Sequence, residues 1–165
     1  MEKIHNAVFS SDRRYRYWLE AKLSDADGIC MFLMLNPSTA DEVQSDPTVT
    51  RAKGFARSWG YGTLWVCNIF GLRATQPAVL RQDPEPIGAD NDEHIMDCAL
   101  KADELVCAWG NHGEHLDRGS HVMNMLESHA SGVKMGHLGM TLKNQPKHPL
   151  YLRADTPLSY FGNLN

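Results

Sequence analysis

Apolar residues follow different spacings along this chain. Tyr15, Tyr17, Leu19 and Ala21 alternate with largely polar neighbours, which predicts a half-buried strand because successive strand side chains point to opposite faces. After turn-forming residues from Asp25 to Gly28, Ile29 to Leu35 is continuously apolar, as expected of a strand covered on both faces. It stops sharply at Asn36-Pro37-Ser38. Pro47 suits the first turn of a helix. Val49, Ala52, Phe55 and Ala56 then fall at helical spacing, and Gly60 closes the element. Thr63 to Phe70 reads as another buried strand and Asn91 to Ala102 as a helix with Ile95, Ala99 and Ala102 on one face. Glu104 to Trp109 is a third buried strand ending at Gly110. Asp117 is placed to cap a helix carrying Val122, Met125 and Leu126. Val133 to Leu138 is a short fourth strand, and Thr141 to Asn165 reads mostly as loop.

Strands alternating with helices predict a three-layer α/β/α domain around a central, mainly parallel four-stranded sheet, preceded by an N-terminal strand or hairpin. In such sheets ligands bind beyond the carboxyl ends of the strands. Three predicted strands end in polar sequence: Asn36 to Thr39, Asn68 to Arg73, and Gly110-Asn111-His112. They are expected to converge on one cleft.

The 165 residues suit a single domain, residues 1–165, with one core. Hydrophobic residues make up 42% and charged residues 22%, ordinary for a soluble globular protein. The net charge of −4 does not favour tight non-specific DNA binding, which Lys and Arg drive by releasing counterions; a local basic patch remains compatible with it. The N-terminus lacks the apolar segment of a signal peptide and no run approaches a membrane span, so a cytoplasmic monomer without membrane contact is expected. Cys30, Cys67, Cys98 and Cys107 form no CxxC pair or zinc spacing. They read as reduced core thiols, and no cofactor is called for. His112, Glu114 and His115 are close in sequence but bring no further ligand at a metal-site spacing. Trp59, Trp65 and Trp109 read as core. Arg13, Arg14, Tyr15 and Arg16 read as an exposed strand face or, alternatively, as a nucleic-acid patch.

At the predicted strand ends the sequence resembles the uracil-DNA glycosylase superfamily. Met34-Leu35-Asn36-Pro37-Ser38 is similar to that superfamily's first motif, a strand ending in Gly-x-Asn-Pro-Gly or Gly-Gln-Asp-Pro. Val66 to Gln76 resembles the strand that supplies a base-reading Asn followed by Arg-Ala-x-Gln. Leu105 to His112 is similar to a Leu-Trp-Gly-x-His strand end, and Lys147-His148-Pro149-Leu150 to a second motif that begins His-Pro. The four matches occur in order over most of Gly28 to Leu158. The chain also resembles, over nearly its full length, a bacterial and phage family of unknown function marked by Met-Leu-Asn-Pro-Ser-Thr-Ala-Asp.

The first resemblance implies a uracil-DNA glycosylase-like fold and cleavage of an N-glycosidic bond. That reaction passes through an oxocarbenium-like sugar and an anionic base, so the protein must hold the base, stabilise its charge and position a water. Asn68 can hydrogen-bond a pyrimidine edge. His148 can donate to a base carbonyl as charge develops. Asn36 can orient the water, but an amide is no strong base. Asp41 or Asp46 is a candidate for that role, although Asp46 also suits the cap of the helix at Pro47. Pro37, Ser38, Thr39, Phe70 and His112 are expected to help form the cleft. Leu150 or Tyr151 can wedge into a base stack. Arg73, Lys143 and Lys147 can contact phosphate.

Two departures matter. The second motif reads His148-Pro149-Leu150-Tyr151, without the backbone-gripping serine of His-Pro-Ser-Pro. The first motif continues as Ser38-Thr39, whereas strict uracil enzymes carry an aromatic residue close by that excludes a 5-methyl group. A roomier pocket suits a mismatched or modified pyrimidine in DNA. The alternatives are a non-catalytic module binding a modified base or nucleotide, and an enzyme acting on free nucleotides.

Overall fold

The computed structural model describes residues 6–38 and 46–162. In chain order they form β1 (Asn6–Phe9), β2 (Arg16–Lys22), β3 (Ile29–Met34), α1 (Pro47–Ser58), β4 (Thr63–Asn68), α2 (Pro77–Gln82), α3 (Asn91–Lys101), β5 (Glu104–Cys107), a 3-10 segment (Asn111–Asp117), α4 (Arg118–His129), β6 (Met135–His137) and β7 (Ser159–Tyr160). The fold is α/β with one mixed seven-stranded sheet in the order β1-β2-β4-β3-β5-β6-β7. This corrects the expected four strands. Parallel pairing joins β4, β3, β5 and β6, and the antiparallel strands β1, β2 and β7 extend both edges. β1 and β7 have four and two residues, too short for an alternating pattern to register.

The sheet is covered on both faces, which explains its unbroken apolar runs. On one face α1 packs Val49, Ala52, Phe55 and Ala56 against Phe32, Met34, Leu64 and Val66. On the other, Ile95 and Ala99 of α3 and Val122 and Leu126 of α4 pack against Met31, Leu33, Cys67 and Leu105. The four cysteines are buried and free. Burial pushes the Cys30 and Cys107 thiols up. Trp109 is buried, while Trp59 and Trp65 are partly buried against the two clusters.

Helix α1 starts as expected. Asp46 is its N-cap, its side chain accepting from the Val49 amide at 2.7 Å, and Pro47 opens the first turn. Asp117 departs from expectation. It takes a left-handed conformation (φ 54°) and its side chain makes no capping bond, because the 3-10 segment reaches α4 through left-handed turns at Leu116 and Asp117.

One irregularity re-aims a side chain. Along the β1–β2 pair, Val8 faces Trp18 but Phe9 faces Arg16, so Tyr17 is an extra residue on β2. Such a bulge reverses the facing of everything beyond it. Leu19 and Ala21 therefore pack on the α1 face, whereas Tyr15 and Tyr17 pack on the opposite face. Arg16 follows the reversed parity and is buried, at 1% exposure. This corrects the exposed strand face and the nucleic-acid patch expected of Arg16 and Tyr15.

Candidate functional site

The carboxyl ends of β3, β4 and β5 open on a cavity of about 620 Å³ on the α1 side, within the range of small-molecule sites. Asn36, Asn68 and His148, far apart in sequence, all line it, as do Ser38, His112, Leu150 and Tyr151.

Asn68 is the last residue of β4 and continues the parity of Leu64 and Val66, so it sits on the α1 face beside its register partner Met34. Its backbone is pinned. The Asn91 side chain donates to the Asn68 carbonyl at 2.8 Å and to the Ile69 carbonyl at 3.2 Å. Arg118 donates to the Ile69 carbonyl at 2.7 Å and pairs with Asp92. Asn68 is only 2% exposed, yet its side-chain amide makes no hydrogen bond among the described residues. Buried amides ordinarily find partners.

Asn36 is tied differently. Its Nδ2 donates to the carbonyls of Ala74 (2.8 Å), Pro37 (3.1 Å) and Leu72 (3.5 Å). Three carbonyls around one atom fix the amide's orientation, and Oδ1 is the atom that the loop does not use. Asn36 thus locks the loop after β3 onto the segment after β4, with the Ala74 amide returning a 2.9 Å bond to the Pro37 carbonyl.

His148 enters from the loop after β6 and packs close to Gly110. A Cβ on Gly110, whose φ is +73°, would lie 3.3 Å from the His148 Cβ. The positive φ favours glycine there, and a Cβ would also crowd the histidine. The Leu150 amide donates to His148 Nδ1 at 3.4 Å, so the neutral ring carries its proton on Nε2. Burial holds the imidazole below its usual value, with Asp46 opposing and His112 adding to the shift. His112 is alike: burial, then Arg81 and Lys143, hold it low, and Arg81 donates to its Nδ1 at 3.1 Å. Both rings are thus neutral donors at pH 7.

Two charged residues complete the cavity. Ser38 donates to the Asp46 carboxylate, whose other oxygen caps α1. Arg16 reaches the cavity through the β2 bulge. Burial lowers its guanidinium to about 10, opposed by Asp46 and reinforced by Arg73, so it stays cationic at neutral pH. Asp46 was visible in the sequence as a cap, whereas only the bulge, which leaves no sequence signal, brings in Arg16. Trp109 forms part of the wall, its indole donating to Gln145 at 2.8 Å.

Other expected site residues lie elsewhere. Phe70 is fully buried in the core, its ring 5.6 Å from that of His115, because it continues into the packed α3 side. Arg73 does not line the cavity; it donates to the Arg13 carbonyl at 3.1 Å and stacks over Phe9, drawn there by the β1–β2 hairpin. Pro37 is buried and contributes its carbonyl to the loop rather than a cavity wall. Thr39 and Asp41 lie outside the described residues. Tyr151 stands at the rim, 93% exposed. Lys143 pairs with Glu114 at 3.6 Å, and Lys147 is exposed. Among the described residues no cluster of three or more His, Cys, Asp or Glu is placed to hold a metal ion, and no helix is long and apolar enough to cross a membrane.

A family model described as "Protein of unknown function (DUF1643)" matches residues 16–150. No curated protein and no solved structure matches the chain.

Proposed function

Since this chain belongs to the DUF1643 family, whose description assigns no activity, we propose from its own site that it is a glycosylase-like hydrolase of the uracil-DNA glycosylase type. It holds a mismatched or modified pyrimidine of DNA in the cavity and cleaves the N-glycosidic bond. The observation that carries this reading is Asn68: a nearly buried amide, free of protein partners among the described residues, on the wall of a cavity. An amide offers donors and an acceptor to one edge of a pyrimidine. Around it stand the other groups the reaction needs. His148 presents Nε2–H as a donor to charge developing on the base. Asn36 keeps Oδ1 to orient a water. The exposure of Tyr151 at the rim supports a role in filling the gap that an extruded base leaves in the stack.

A second reading, action on free nucleosides or nucleotides in the same cavity, is favoured by Arg73. This expected phosphate contact is used inside the protein instead. Both readings are tested by incubating the purified protein with oligonucleotides carrying uracil, mismatched thymine and hypermodified pyrimidines, and separately with free nucleosides and nucleotides. Released base is scored by chromatography and abasic DNA by alkaline scission. The DNA reading predicts scission, with His148→Ala slowing it about 10²–10³-fold. Base release from the free compounds alone supports the second reading. Neither release nor base binding by any substrate contradicts both.

A further inference from the structure

We infer that Asp46 is the anionic group of this site: its carboxylate takes the proton of the attacking water and opposes the positive charge on the sugar. The inference rests on the glycosidic reading above and adds a residue to it.

The reaction fixes what the site must contain. As the bond between C1′ and the base nitrogen breaks, its electron pair leaves with the base and the sugar becomes an oxocarbenium cation. Water oxygen bonds to C1′ and the water gives up a proton. The base nitrogen takes up a proton from solvent, and the group that accepted the water's proton returns it to solvent. One water is consumed and nothing is oxidised or reduced. The cavity therefore needs a proton acceptor, and a negative charge near the cationic sugar lowers the barrier further.

Most of its polar groups do not qualify. Asn36 and Asn68 are neutral amides. His148 and His112 each have the Nδ1 lone pair engaged, by the Leu150 amide and by Arg81. Their remaining ring nitrogens carry protons. Arg16 is a cation. Among the described residues lining the cavity, Asp46 is the one carboxylate. It is held rigidly, one oxygen accepting from the Val49 amide at 2.7 Å and the other from the Ser38 hydroxyl. Each oxygen has a second lone pair. A half-buried carboxylate also acts on a nearby cation more strongly than it would in water.

The capping role and the catalytic role separate cleanly in one variant. Asparagine caps helices as well as aspartate does, so Asp46→Asn removes the charge and the basicity while leaving the start of α1 intact. The variant is expected to melt within about 2 °C of the wild type and to release base about 100-fold more slowly or worse. A second readout needs no knowledge of the base. An oligonucleotide with one sugar replaced by a protonated pyrrolidine mimics the cation, and one carrying neutral tetrahydrofuran is its control. The wild type should prefer the pyrrolidine by about tenfold or more, and Asp46→Asn should lose that preference. Should Asp46→Asn fold poorly, Asp46→Ser, also a capping residue, replaces it. Base release within about threefold of the wild type, or an unchanged preference for the pyrrolidine, would overturn the role of Asp46 alone. A wild type that releases no base and holds neither analogue would overturn the glycosidic reading, and this assignment with it.

Discussion

Replacing Asn68 by leucine should stabilise the protein while abolishing the base recognition proposed for it. Leucine is close to asparagine in size and shape, and the site lies beside Met34 on a face otherwise built from Leu64 and Val66. Asn68 as a residue is 2% exposed, and its amide, on the cavity wall, is unpaired among the described residues. An unsatisfied buried polar group costs roughly 1–3 kcal/mol. Contact with the cavity's water offsets part of that, so the gain from Asn68→Leu should be about 1 kcal/mol. At this chain length that raises the melting temperature by about 2–4 °C. Thermal melts followed by circular dichroism, with urea titrations showing a higher midpoint and an unchanged slope, make the measurement. A fall of more than about 4 °C would mean that the amide holds the fold together, and the argument that it is reserved for a ligand would be wrong.

The clamp at Asn36 predicts the opposite behaviour. Asn36→Ala should cost about 1–2 kcal/mol in urea titrations, and Asn36→Asp should cost more, because a carboxylate oxygen would then face the carbonyls of Pro37, Leu72 and Ala74. Equal stability of Asn36→Asp and the wild type would refute the clamp. Stability should also fall as pH drops below about 6.5. His112, His137 and His148 all titrate lower in the folded protein than in the unfolded chain, chiefly because of burial. The unfolded chain therefore binds protons first and is favoured in that window. Melting temperatures at pH 7.5, 6.5 and 5.5 should decline in that order, and a flat series would contradict the burial argument.

Much of this architecture is written in residue spacing. The apolar run from Ile29, the helix opened by Pro47 and the strand that starts at Thr63 appear where the sequence places them, although that strand ends at Asn68 rather than Phe70. The convergence of Asn36, Asn68 and His112 follows from the rule for parallel strand ends. Other features depend on contacts that local pattern does not encode. Among the described residues, the edge strands β1 and β7 pair with β2 and β6 respectively. Arg16 sits among apparently alternating residues, yet a single extra residue in the β1–β2 pairing sends it inward. Phe70 and Arg73 belong to a stretch that resembles a base-reading motif, but the first joins the core and the second is drawn to Phe9 and Arg13. Of that stretch, Asn68, Ala74 and Thr75 line the cavity.

The central claim is that the Asn68 amide reads a pyrimidine edge, and its own NH₂ resonances test it most directly. In a ¹⁵N-labelled sample this pair is identified as the one missing from Asn68→Leu. Titration with uracil, thymine and enlarged pyrimidine bases should move it together with the His148 ring signals for at least one base. A pair that stays fixed through saturation with every base, or shifts confined to residues outside the cavity, would contradict the account.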